Sequence, residues 1–282
     1  MTVNPIPPHI LRDAVSRALA EDQGGRGDIT ALACIPATAN AKFFFKAREN
    51  GVICGLQPAL EAIWQMDPEA LVKTQVEDGE TVEAGDIIAS VLGKARALLS
   101  AERIALNFMG RMSGIASFTQ RYVAAIEGTG ARIAHTRKTT PGLRAFELQA
   151  VQAGGGALHR FGLDDAILIK DNHVAVCGGV ADAVKAAKSN AGHMTRVAVE
   201  VDRLDQLPAA IDAGAESVLL DNFSLEDLRA AVAEAKGKVV LEASGGVNLD
   251  TVRGIAETGV DVISVGALTH SAPNFDIGLD EA

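Results

Sequence analysis

Between residues 131 and 270, short aliphatic runs alternate with stretches of helical periodicity. The runs fall at 131–134, 166–169, 197–201, 217–220, 239–241 and 262–265. Between them, residues 181–191, 204–213, 225–236 and 250–258 place apolar side chains at i, i+3 and i+4, the spacing that gives a helix one buried face. Ser224 precedes the third of these stretches with Asp227 three positions on, and Asn248 precedes the fourth. Both are placed as N-caps, where a side-chain oxygen accepts from a free N–H of the first turn. Runs that are apolar without alternation are expected to be buried on both faces, which describes a parallel sheet covered by helices.

The polar residues that close each run decide between two ways of arranging such a sheet. Arg137 and Lys138, Lys170, Glu200, Asp221 and Asn222, Glu242 and Ser244, and Ser264 all stand at or just after a run. In a barrel these ends converge on one mouth, whereas in an open doubly wound sheet only the switch-point strands face a common ligand. The reading is an α/β fold, an incomplete (β/α) barrel of about six parallel strands.

The earlier part of the chain has a different rhythm. A helix is expected over 10–20, then a hairpin of 42–48 and 52–55 about Asn50-Gly51, a strong two-residue turn signal. A second helix over 58–66 leads into 74–92, where Glu77-Asp78-Gly79-Glu80 and Glu83-Ala84-Gly85-Asp86 punctuate short strands. The segment 100–127 reads as a long helix joining two domains. The expected division is an N-terminal α+β domain over 1–112, a barrel over 113–270 and a C-terminal tail over 271–282.

Composition narrows the function classes. With 48% hydrophobic and 22% charged residues the chain should fold, and its net charge of -10 argues against nucleic acid or an anionic membrane surface as partner. No apolar run approaches the ~20 residues of a membrane span, and residues 1–13 lack the pattern of a secretory signal. The three cysteines, Cys34, Cys54 and Cys177, are too scattered for a disulfide framework or a metal-ligand pair. A cytoplasmic enzyme is expected.

Against that acidic background, residues 135–173 gather Arg137, Lys138, Arg144, Arg160 and Lys170 with His135, His159 and His173. Arginine forks suit carboxylates and phosphates, and lysine supplies a compact charge. The plainer alternative is a solvated loop paired with Asp164, Asp165 and Asp171. Gly154-Gly155-Gly156, Ser244-Gly245-Gly246 and Gly266 are candidate phosphate turns, the last two at the final strand ends, where barrels often hold phosphate. Glu200 and Asp221 could hold ribose hydroxyls, share a Mg2+ ion or act as acid and base, the alternative for each being a structural ion pair. A zinc site finds no ligand spacing among His9, His193 and His270, and residues 76–92, though Gly-punctuated like a lipoyl domain, lack a central lysine.

These segments together resemble the quinolinate phosphoribosyltransferase family. The resemblance rests on the run His135-Thr136-Arg137-Lys138-Thr139-Thr140-Pro141-Gly142, followed by His159-Arg160, Ile169-Lys170-Asp171-Asn172-His173, Glu200-Val201-Asp202, Leu220-Asp221-Asn222 and Glu242-Ala243-Ser244-Gly245-Gly246. Upstream, Gly27-Asp28-Ile29-Thr30 and residues 102–107 also look like family segments. The resemblance implies phosphoribosyl transfer from 5-phosphoribosyl 1-pyrophosphate to quinolinate with release of CO2, with Mg2+ as cofactor. It implies that Arg137, Lys138, Thr139, His159, Arg160 and Lys170 line the dicarboxylate and pyrophosphate region. Glu200 and Asp221 would face the ribose and its Mg2+, and Ser244, Gly245, Gly246, Ser264, Val265 and Gly266 would cradle the 5-phosphate. Lys138, Lys170, Glu200 and Asp221 are the catalytic candidates. It implies too a homodimer in which Arg103 reaches the neighbouring subunit's site. The competing expectations are a non-carboxylating transferase on the same scaffold, a Schiff-base lyase using Lys170, and a non-catalytic phosphometabolite-binding protein.

Overall fold

The computed structural model describes residues 3–281, which divide into two compact units. The first comprises residues up to 120, 139–155 and those from 271 on; the second comprises 121–138 and 156–270.

In the first unit, α1 (Pro8–Gln23) starts on a proline, whose missing N–H is no loss in a first turn, and buries Leu11, Ala14, Val15 and Leu19 along one face. The Asp28 side chain caps α2 (Ile29–Cys34) by accepting from Ala31 N–H at 2.9 Å. Then follow β1 (Asn40–Ala47), β2 (Gly51–Val52), α3 (Leu56–Met66), β3 (Leu71–Thr74), β4 (Thr81–Val82), β5 (Ile87–Lys94) and the long α4 (Ala95–Ala125).

The hairpin expected about Asn50-Gly51 does not form. β1 pairs with β5, whereas β2 leaves that sheet and pairs antiparallel with β4. Two distant contacts override the local turn signal: Asn50 Oδ1 accepts from Ala84 N–H at 2.8 Å, and Val52 N–H donates to Ser117 Oγ on α4 at 2.8 Å. A side chain at Gly51 would collide with that same Ser117 hydroxyl.

In the second unit β6 (Arg132–Ala134) is the first strand. After α5 (Arg144–Ala153), which belongs to the first unit, the chain runs through β7 (Ile167–Ile169), α6 (Asp171–Cys177), α7 (Val180–Asn190), β8 (Val197–Val201), α8 (Leu207–Asp212), β9 (Ser217–Asp221), α9 (Leu225–Ala235), β10 (Val240–Ser244), α10 (Val252–Ala256), β11 (Val262–Ser264) and α11 (Ala267–His270). The last strand, β12 (Ile277–Glu281), lies in the stretch set apart above as a tail; it pairs antiparallel with β1 in the four-stranded sheet of order β12-β1-β5-β3.

The parallel sheet has the order β6-β11-β10-β9-β8-β7. Chain neighbours β7 to β11 lie side by side and the last pairs with the first, β6, so the order is that of a barrel opened between β6 and β7. An isolated bridge, Ala134 to Ala157, extends the β6 edge. Val199, Val218, Leu220 and Ile263 are fully buried, which stabilises the sheet by roughly 1.5–3 kcal/mol for each large side chain. Ser224 accepts from Asp227 N–H as the N-cap of α9. Asn248 instead caps the turn before α10, accepting from Asp250 and Thr251 N–H, so that helix begins only at Val252.

Candidate active site

All six strands of the barrel end at a cavity of about 600 Å³ contained within the second unit. Its lining includes His135, Arg137, Lys138, His159, Arg160, Lys170, Glu200, Asp221, Asn222, Glu242, Ser244, Gly245, Gly246 and Ser264. A parallel barrel brings the C-terminal ends of its strands to one mouth, so the ends of β8 and β11 and the ends and following turns of β6, β7, β9 and β10 contribute polar groups to the same space.

The strand-end segment after β6 and the segment 156–160 supply cations. The Nε atoms of Arg137 and Arg160 are buried with no hydrogen-bond partner, although Arg160 Nη1 donates to Ala166 O at 3.2 Å. Burial pushes the Arg160 guanidinium below its ordinary pKa, the adjacent Arg137 charge adds to this, and Asp165 opposes it. The Arg160 group nevertheless remains charged, since arginine is not deprotonated in proteins. Two half-buried guanidinium groups of like charge, each with a buried Nε donor left over, form a site that gains on taking up an anion. Asp165 does not neutralise the pair by direct contact: its carboxylate accepts from Phe161 and Gly162 N–H at 2.6 and 3.1 Å, ordering the loop after Arg160.

Behind the arginines is a chain of oriented histidines. His135 is fully buried, with Nε2 accepting from His159 N–H at 2.9 Å and Nδ1 facing Thr136 O at 3.1 Å. A carbonyl can only accept, so the His135 proton sits on Nδ1. His159 Nδ1 accepts from Arg160 N–H at 2.7 Å, which places its own proton on Nε2, 3.3 Å from Glu242 Oε2. Ser264 Oγ donates to the other oxygen of the same carboxylate. Burial raises the Glu242 pKa, but the hydrogen bonds from His159 and Ser264 bring it net below the ordinary range.

Carboxylates occupy other strand ends. Lys170 Nζ donates to Glu200 Oε2 at 2.8 Å, and Asn222 Nδ2 donates to Asp221 Oδ2 at 2.8 Å. Among the described residues no group of three or more His, Cys, Asp and Glu is arranged to hold a metal. Mg2+ does not require one, because it is commonly held by one or two carboxylates together with substrate phosphates and water. Glu200 and Asp221 are oxygen donors of that kind, each with a second oxygen beyond the one already engaged, so the donor set fits.

The turn after β10 is built for close approach. Gly245 has φ +98°, and a Cβ there would lie 2.1 Å from Asn222 Oδ1, so no other residue fits. Gly154 has a different purpose: a Cβ would lie 2.2 Å from Ala116 O, so this glycine lets its backbone pack on α4 within the first unit. Gly154-Gly155-Gly156 are absent from the cavity lining, as are Arg103, Thr139, Val265 and Gly266. Thr139 belongs to the first unit and accepts from Arg144 Nε at 3.0 Å. Arg103 is exposed on α4, and Val265 is a buried ladder residue donating to Ala134 O. Gly266 abuts Lys138, its notional Cβ 3.1 Å from Lys138 Cδ. The cavity also contains the polar residues His135, Thr136, Asn222 and Glu242, to which the family resemblance gave no ligand role.

A barrel opened between its first two strands, with guanidinium groups, carboxylates and a glycine turn at its strand ends, defines an α/β-barrel protein equipped for anionic, phosphate-bearing ligands. Comparison with known proteins makes this specific. Residues 28–113 match the model of the quinolinate phosphoribosyl transferase N-terminal domain and 115–280 that of the C-terminal domain. The chain belongs to the quinolinate phosphoribosyl transferase family. It is 44% identical over 275 residues to the nicotinate-nucleotide pyrophosphorylase [carboxylating] of Mycobacterium leprae, covering 95% of this chain and 96% of the relative. It is 40% identical to a probable enzyme of the same name from Bacillus subtilis, covering 96% and 93% respectively. The solved nicotinate-nucleotide pyrophosphorylase of Francisella tularensis superposes with a TM-score of 0.94 at 41% identity, over 100% of this chain and 99% of that one. No helix among the described residues is long and apolar enough to cross a membrane.

Proposed function

We propose that this protein, acting in the cytoplasm, transfers the phosphoribosyl group of 5-phosphoribosyl 1-pyrophosphate to the ring nitrogen of quinolinate, yielding nicotinate mononucleotide, pyrophosphate and CO2. The observation that carries this reading is the pair of buried, unpartnered Nε atoms of Arg137 and Arg160 in the same cavity as Glu200 and Asp221. The names of the relatives support it. A planar dicarboxylate is the ligand that two arginine forks best match.

In this mechanism the arginines, with His159 and Lys170, hold the two carboxylates so that the ring nitrogen faces the anomeric carbon. As the bond to pyrophosphate breaks, positive charge develops on the ribose, and the carboxylates of Glu200 and Asp221 stabilise it while binding the ribose hydroxyls. Lys138 steadies the departing pyrophosphate. Glu200 and Asp221 would hold Mg2+, which when bound supplies charge neutralisation for the phosphates. Ser244, Gly245, Gly246 and Gly266 receive the 5-phosphate through N–H and hydroxyl groups, whereas the Val265 N–H is already given to Ala134 O and the Ser264 hydroxyl to Glu242. When the bond to the 2-carboxylate breaks, its electron pair stays on C2, stabilised by the adjacent positive ring nitrogen, and a proton from water then completes nicotinate mononucleotide, so CO2 leaves without a protein nucleophile. Arg103 of the partner subunit completes the dicarboxylate site of a homodimer.

The test is to incubate the protein with Mg2+ and 5-phosphoribosyl 1-pyrophosphate and either quinolinate or nicotinate. Mononucleotide formed from quinolinate, and not from nicotinate, is the expected result. The converse would assign a non-carboxylating transferase.

A further inference from the structure

Glu242 is a buried acid inside a cavity built to take anions, and none of the steps above uses it. It is 7% exposed, on the strand β10 between two hydrogen-bonded neighbours, and could have been any apolar residue if filling space were its task. An uncompensated carboxylate there would repel every ligand the cavity is proposed to hold. Something must make its retention favourable.

The hydrogen bonds indicate what that is. Glu242 accepts from two donors on two different segments, His159 Nε2 and Ser264 Oγ. The His159 ring has only one proton to place, because its Nδ1 accepts from Arg160 N–H at 2.7 Å. The same residue's backbone N–H is fixed on His135 Nε2 at 2.9 Å. His159 is thus clamped at ring and backbone, and Arg160, next in the chain, takes its backbone direction from the clamp. The remaining ring contact, on Nε2, depends on an acceptor that carries no proton of its own. A glutamate supplies this and an amide satisfies it less completely, since an amide oxygen can serve one of the two donors only while its NH2 group faces the other.

We infer that Glu242 is a positioning residue for the dicarboxylate subsite, orienting His159 in its Nε2–H form and, through it, Arg160. The inference rests on the assignment of that subsite to quinolinate. It carries a sign that a purely electrostatic role would reverse. If Glu242 contributed only its charge, removing it would strengthen the binding of both anionic substrates. If it positions His159 and Arg160, removing it weakens the dicarboxylate and leaves the phosphoribosyl substrate nearly as before.

Steady-state kinetics of the enzyme and of Glu242→Gln separate the two. The KM for quinolinate should rise at least about tenfold, the loss expected when a charge-assisted hydrogen bond is replaced. The KM for 5-phosphoribosyl 1-pyrophosphate should change by less than about twofold. A fall in both, an equal rise in both, or no change overturns the inference. If Glu242→Gln does not fold, Glu242→Asp keeps the charge but withdraws it by one methylene, and should show the same selective rise at smaller amplitude; a wild-type KM pair in that variant overturns the inference equally. Nitrogen-15 spectra of the wild-type histidines provide a readout independent of substrate: His159, assigned by its loss in His159→Asn, should carry its proton on Nε2, and an Nδ1–H form contradicts the clamp. A wild-type enzyme inactive on quinolinate would instead bring down the functional assignment itself.

Discussion

Lys170 Nζ lies 2.8 Å from Glu200 Oε2, joining the end of β7 to the end of its neighbour β8 across the cavity mouth. The pair spans two chemical roles proposed for the site, carboxylate binding and ribose stabilisation. It also bears on the lyase alternative, because an amine engaged in a short contact with a carboxylate is not free to attack a carbonyl. Borohydride added with a range of carbonyl substrates should therefore leave the mass of the protein unchanged. A stable adduct on Lys170 would restore the Schiff-base reading.

Removing the Arg160 guanidinium should weaken quinolinate selectively. Its buried, unpartnered Nε is the donor with most to gain from a carboxylate. Arg160→Ala is expected to cost roughly 2–5 kcal/mol in quinolinate binding, with a smaller loss for 5-phosphoribosyl 1-pyrophosphate. Calorimetric titration with each ligand measures both; equal weakening would remove Arg160 from the dicarboxylate subsite.

Asp221 should behave in the opposite way. Ribose charge develops mainly in the transition state, so Asp221→Ala is expected to lower kcat by more than it raises the quinolinate KM. A change confined to the quinolinate KM would contradict a role at the ribose.

The family motifs made most of the barrel and its mouth legible from sequence, for a physical reason. Strands buried on both faces read as unbroken aliphatic runs, and a parallel barrel puts the residue after each run at the same end, so strand, polarity and position could be read together. What could not be read depends on contacts between distant segments. Asn50-Gly51 is a sound local turn signal, yet Ala84 and Ser117 draw the chain away from β1. Gly154 looked like phosphate chemistry, but its missing Cβ accommodates α4. Glu242 stood in view inside a recognised motif, and only its partners His159 and Ser264 give it a purpose.

Asp78 offers a test of pH dependence in the first unit. Its carboxyl accepts from Leu56 N–H at the start of α3, and burial pushes its pKa up to about 6, against the pull of the Leu56 and Gly55 N–H groups. A pKa raised by folding contributes stability below the unfolded value, near 4, and that contribution is lost as pH rises through about 6. The loss amounts to about 3 kcal/mol at most. Asp78→Asn should thus gain stability relative to wild type as pH rises from about 4 to about 6, and hold that gain above it, in denaturant unfolding. A pH-independent difference would mean that the carboxyl is not desolvated as described.

Arg103 is exposed on α4 in the first unit, and its proposed site is the partner's barrel. Arg103→Ala and Lys170→Ala homodimers should each be nearly inactive. Random exchange between equal amounts makes half the dimers mixed, each with one intact site of two, so about a quarter of wild-type activity should return. Exchange verified by mass with no recovery would place Arg103 outside the partner's site.

The central claim is that a phosphoribosyl transfer is coupled to loss of the carboxylate beside the ring nitrogen. Quinolinate labelled with carbon-13 at the 2-carboxyl or at the 3-carboxyl, incubated with enzyme, Mg2+ and 5-phosphoribosyl 1-pyrophosphate, tests both halves at once. The account predicts one labelled CO2 per pyrophosphate from the 2-carboxyl substrate, and label retained in nicotinate mononucleotide from the 3-carboxyl substrate. Mononucleotide that keeps the 2-carboxyl label, or pyrophosphate released without labelled CO2, would contradict it.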